Sequence, residues 1–191
     1  MASALHASEA ELTGREGHPA TRFPLAVWLA PFADPALDGA ARRAVDDWNA
    51  LAREVLGVPA FALVETPAAA QVTVAVQPPA GSRLMGFTEV TADAAGVIAL
   101  PVRITVMAPV ARGETSRETL LYQVLAHELG HALGLPHVRD PRSLMCCVRG
   151  SVDFGDPAVR DAYVAARRHP DLRSVRAQLA EHQAARAQPR P

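Results

Sequence analysis

Residues 127–137 read His127-Glu128-Leu129-Gly130-His131-Ala132-Leu133-Gly134-Leu135-Pro136-His137, and they restrict the fold of this chain more than any other segment. On a helix, positions i and i+4 lie one turn apart on the same face. His127 and His131 can therefore offer two imidazoles to a single ion. Gly134 lets the chain leave the helix in a left-handed conformation that other residues resist. His137 can then swing back as a third nitrogen ligand. Three neutral imidazoles with an open fourth position describe a catalytic zinc site, whereas a closed structural site has four protein ligands. Glu128, beside the first ligand, can reach a zinc-bound water. The metal lowers the pKa of that water toward ~7, and the carboxylate takes its proton as a general base. In a chain of this composition, H-E-x-x-H arises by chance on the order of 1% of the time, and the added glycine and third histidine reduce that to roughly a few in 100,000.

The remaining composition narrows the class. At 191 residues, 49% hydrophobic and 20% charged, the chain has the material for one domain with tails. Nineteen basic residues, all Arg, against 20 acidic ones give a net charge of -1, so there is no basic footprint for nucleic acid. No apolar run approaches the ~20 residues of a membrane span. The only cysteines, Cys146 and Cys147, are adjacent, which excludes a disulfide framework and a four-cysteine zinc site. They are read as two small thiols packing below the site. The alternative is a thiolate approaching the metal, or a redox-sensitive pair. A disulfide between such neighbours would be strained, since their Cα atoms are only about 3.8 Å apart. His6, His18, His169 and His182 lack ligand spacing and are read as solvated. The first 23 residues hold no apolar stretch, so no signal peptide is visible. The expectation is a chain that stays inside the cell or lacks its export segment.

Along the chain, residues 23–29 read as a strand. Asp34-Pro35 reads as a helix cap followed by proline at the first helical position. Ala41, Ala44, Val45, Trp48, Leu51, Ala52 and Val55 then recur at helical spacing up to a stop at Gly57. Residues 61–65 and 71–76 read as strands. Residues 86–91 and 97–107 read as the arms of a hairpin around Asp93–Gly96, with Pro101 marking a bulge or an unpaired edge. Thr115 and Glu118 fit a capping box for the helix that carries the histidines. Asp156-Pro157 opens another helix, with Val159, Ala162, Tyr163 and Ala166 on one face. Asp171 caps a last one, with Leu172, Val175 and Leu179 on one side. The expected organisation is a loose arm over 1–21, a catalytic domain over 22–170, and a C-terminal helix with a frayed tail over 171–191.

The segment from His127 to His137 resembles the H-E-x-x-H-x-x-G-x-x-H motif of the metzincin metallopeptidases, and it is most similar to the matrixin branch. Ser143-Leu144-Met145 follows, with Met145 eight residues past His137, which resembles the methionine turn of that branch. The resemblance implies an α+β fold, a mixed α/β sandwich. Its parts would be a twisted, mostly parallel sheet with an antiparallel edge strand, an active-site helix, a methionine turn and a C-terminal helix. It also implies zinc held by His127, His131 and His137, catalysis by Glu128, and structural roles for Gly134 and Met145. A peptide or protein substrate would pair along the edge strand near 86–91. A secreted location follows from the same resemblance, and a monomer is expected. Structural calcium is not indicated, because the histidine- and aspartate-rich loops of animal matrixins are not apparent in 77–115. Val138 stands where many matrixins have Ser or Thr. Cys147 stands where other branches place a tyrosine near the metal. No cysteine precedes the helix, so a cysteine switch is absent from these residues. The expected function is a zinc-dependent endopeptidase. A weak or latent zinc-binding module, or a metallohydrolase of non-peptide amides, on the same fold, stays open as an alternative.

Overall fold

The computed structural model describes residues 12–79, 85–111, 113–148 and 150–187. Five strands form one sheet: β1 (Leu25–Leu29), β2 (Phe61–Leu63), β3 (Val72–Gln77), β4 (Gly86–Glu89) and β5 (Val102–Met107). Their spatial order is β2-β1-β3-β5-β4. All pairings are parallel except β4 with β5, which places an antiparallel strand at one edge. The inner strands bury Val27, Val72, Val74, Ile104 and Val106, as expected for a parallel sheet covered by helices. This is the mixed α/β arrangement expected from the sequence.

Helix α1 (Pro35–Leu56) begins where Asp34 caps the Ala36 amide and ends at Gly57, whose φ is 77°. Its buried stripe runs through Ala41, Ala44, Val45, Trp48, Leu51 and Ala52. Helix α2 (Arg117–Ala132) packs on α1 and on β4 and β5. The cap of α2 is Ser116, which accepts from the Thr119 amide, one residue later than the Thr115 expected. With two hydroxyl residues in succession, sequence alone does not choose between them. Between α1 and α2, the Trp48 indole N–H donates to the Ala126 carbonyl at 2.8 Å. The hairpin forms as expected between β4 and β5, but β5 begins only after Pro101, and the chain between the strands is long and irregular.

Two more helices follow, α3 (Pro157–Arg168) and α4 (Arg176–Ala187), with a 3-10 turn over Leu172–Val175 between them. Leu172, Val175 and Leu179 are buried, as their spacing predicts. No helix among the described residues is long and apolar enough to cross a membrane.

The N-terminal segment differs from the loose arm read from its unpatterned sequence. From Leu12 onward it is packed. The Gly17 amide donates to the Gly96 carbonyl and the Ile98 amide donates to the Gly17 carbonyl, at 3.0 Å each. Arg186 of α4 donates to the Arg15 carbonyl at 2.7 Å. His18 and His182, expected in solvent, are 1% and 6% exposed. His18 Nε2 donates to the Ala132 carbonyl at 2.9 Å, and His182 Nδ1 donates to the Gly14 carbonyl at 3.2 Å. The reason is tertiary: the segment crosses the C-terminal end of α2, where carbonyls lack helical partners. His6 lies outside the described residues.

Candidate active site

Helix α2 delivers the candidate ligands, and its C-terminus shapes the site. The Gly134 amide donates to the His131 carbonyl at 2.9 Å and the Leu135 amide to the Gly130 carbonyl at 3.0 Å. These two bonds form a Schellman ending. Gly134 has φ 96°, and a Cβ there would collide with the Glu16 carbonyl oxygen. The turn carries the chain from Leu135 back to His137, as the glycine spacing predicts.

The ligating nitrogens of His127, His131 and His137 converge within one small cluster. Nε2 of His127 lies 2.9 Å from that of His137 and 3.1 Å from that of His131; the third separation is 3.2 Å. Tetrahedral zinc with ~2.05 Å bonds to nitrogen has ligands ~3.3 Å apart, close to these values. The tautomers fit as well. His127 Nδ1 donates to the Leu144 carbonyl at 2.8 Å, and His131 Nδ1 donates to the Leu135 carbonyl at 2.8 Å. A carbonyl can only accept, so each Nδ1 carries the proton and each Nε2 turns a lone pair inward. Burial, followed by the neighbouring His131 and His137, holds His127 well below its ordinary pKa. Burial, followed by His137, holds His131 at about 3. His127 and His131 are thus neutral imidazoles that already donate from their far nitrogens, and with His137 Nε2 beside them they form a donor set suited to a divalent cation.

Glu128 is 4% exposed and lies against the edge strand. Burial raises its pKa to about 7, opposed by a hydrogen bond from Thr88. The Thr88 hydroxyl is 2.6 Å from Glu128 Oε2. No sequence motif marks Thr88, and its role is visible only once β4 is docked on α2.

Met145 is fully buried under the helix. A Cβ at Gly130 would lie 2.5 Å from Met145 Sδ and 3.3 Å from Trp48 Cζ2. Gly130 therefore gives the thioether its space beside the helix turn that carries His127 and His131, a requirement that the motif alone does not reveal. The turn around Met145 is tied in place from three directions. The Val138 amide donates to the Met145 carbonyl at 3.0 Å. The Leu144 amide donates to Ser174 Oγ at 2.9 Å. Arg167 of α3 donates to the Cys146 carbonyl at 3.2 Å while lying over the Tyr163 ring. Because Leu144 also holds His127, these ties reach the histidine cluster.

Cys146 and Cys147 follow Met145 directly, with Cys146 buried beneath the site.

The sequence model of the matrixin family matches residues 36–154, more than half of the chain and the whole stretch from α1 through the methionine turn. The chain belongs to the matrixin family. It therefore has a fold of the zinc-metalloendopeptidase type, with β4 as the edge strand and α2 as the active-site helix. No curated protein matches the chain.

Proposed function

We propose that this matrixin is a zinc-dependent endopeptidase. The observation that carries the reading is the convergence of three inward-facing Nε2 atoms within 3.2 Å, with Glu128 on the same helix. His127, His131 and His137 would hold the ion. Bound there, zinc supplies a Lewis acid for the scissile carbonyl and lowers the pKa of water. Glu128 accepts a proton from the attacking water as the new C–O bond forms. It then passes that proton to the amide nitrogen as the C–N bond breaks, so one carboxylate serves both halves of the reaction. The burial of Glu128 keeps bulk water from competing for its oxygens.

Strand addition supplies the substrate geometry. Strand β4 pairs only with β5 among the described residues, leaving its other edge open. An extended peptide adds there through main-chain hydrogen bonds, and its side chains then occupy pockets on alternate sides.

The test is cleavage of a mixed peptide library by protein reconstituted with one equivalent of zinc, alongside a panel of non-peptide aryl amides. Internal peptide cuts that vanish on chelation and return with zinc are expected. Hydrolysis of the aryl amides with no peptide cleavage would show the reading to be wrong.

A further inference from the structure

The general base has a built seat on the edge strand. Burial alternates along β4: Gly86 and Thr88 are buried, while Phe87 and Glu89 are more exposed. Positions i and i+2 of a strand face the same way, and here that face meets α2. A Cβ at Gly86 would lie 2.7 Å from Val124 Cγ1 and 3.3 Å from Glu128 Cγ. The missing side chain is thus what allows the helix and the stem of Glu128 to approach the strand. Two residues on, the Thr88 hydroxyl lies 2.6 Å from Glu128 Oε2 and 3.1 Å from the Glu128 carbonyl oxygen. A hydroxyl has one proton to give, and the shorter contact, to the carboxylate, takes it. Among the described residues, Thr88 is the only side chain that hydrogen-bonds this carboxylate.

The backbone of the same residues points elsewhere. Met85 accepts from the Met107 amide at 2.8 Å. In an antiparallel ladder the residues that bond their neighbour alternate with those that do not. With Gly86 opposite Val106 and Thr88 opposite Ile104, the peptide groups of Phe87 and Glu89 turn toward β5. Those of Gly86 and Thr88 turn toward the open edge. Thr88 therefore offers its peptide groups to an added strand while its side chain holds the carboxylate.

We propose that the Gly86–Thr88 segment is the seat of the general base. In it, Gly86 clears the Glu128 stem, and Thr88 is a positioning residue that fixes the carboxylate relative to a peptide paired on the same strand. This rests on the reading of Glu128 as the base. A free glutamate side chain has several rotamers, and a misplacement of ~1 Å at a reacting group can cost on the order of 100-fold in rate. Thr88 removes that freedom without touching the substrate's reacting atoms.

Zinc-loaded Thr88→Val, Thr88→Ala and Thr88→Ser proteins test this. Valine keeps the shape and loses the donor, alanine covers the case in which valine prevents folding, and serine restores the hydroxyl. With zinc content equal to wild type, kcat for a peptide should fall about 10- to 100-fold in the valine and alanine variants, with KM changed by less than about threefold. Serine should keep kcat within about threefold of wild type. Crystal structures provide a second readout: Oε2 should stay on the hydroxyl in wild type and the serine variant, and leave its position in the valine variant. Wild-type kcat in the valine or alanine variant, a serine variant as slow as they are, or an unmoved carboxylate in the valine structure would each overturn the seat. If the wild type cuts no peptide, the endopeptidase reading fails, and the carboxylate positions alone decide the seat.

Discussion

His18 gives the packed N-terminal segment a pH dependence whose size follows from its surroundings. The ring is 1% exposed, donates to the Ala132 carbonyl and lies 3.4 Å from an Arg22 nitrogen. Burial, aided by the positive charges of Arg22 and Arg186, lowers its pKa to about 4. In the unfolded chain the value returns to about 6.5. Between these values the unfolded state binds more protons, so stability is fully present above about pH 6.5 and is lost as pH falls toward 4. A single site with this shift loses about 2 kcal/mol between pH ~7.5 and ~5, out of about 3 kcal/mol in all. His18→Gln removes the titration and keeps an N–H donor for Ala132. Urea unfolding of both proteins at the two pH values, with chelator present throughout, measures the difference. His182, whose pKa burial also lowers, contributes to both proteins alike. The wild type should lose about 2 kcal/mol more than the variant on acidification. Equal losses would refute the buried, neutral state of His18.

The cage and its floor make separate predictions. Purified protein should hold about one equivalent of zinc, and the His131→Ala, His137→Ala double variant should hold less than about a tenth of that by metal analysis. Met145→Leu, which nearly conserves volume, should cost less than ~1.5 kcal/mol by urea unfolding. Gly130→Ala gains about 1 kcal/mol of helix propensity but drives a Cβ against Met145 and Trp48, so it should be destabilised by a net ~1–2 kcal/mol and bind zinc more weakly.

What the sequence reveals here is what is local. Helix α1 is legible because its cap, its proline, its apolar spacing and its terminal glycine are all decided within a few residues. The histidine trio is legible because i and i+4 place two ligands and one left-handed glycine returns the third. The cap of α2 is uncertain by one residue because Thr115 and Ser116 offer the same chemistry. His18 escapes local reasoning altogether: its partner, Ala132, lies 114 residues away, and nothing near His18 shows that the segment crosses an unsatisfied helix end. Thr88 is hidden for the same reason, 40 residues from the glutamate it holds. Gly130 reads as an ordinary motif filler until Met145 is seen against it.

Glu128→Gln in zinc-loaded protein tests the proposed chemistry most directly. The substitution keeps the shape of the side chain and all three histidines, and it removes only the capacity to accept a proton from water. Zinc content should match the wild type and the fold should be at least as stable, while kcat/KM on a cleaved peptide falls by several orders of magnitude, about 4 kcal/mol or more of lost transition-state stabilisation. A zinc-loaded glutamine variant that cuts the same peptide at near wild-type rate would contradict the assignment of Glu128 as the base.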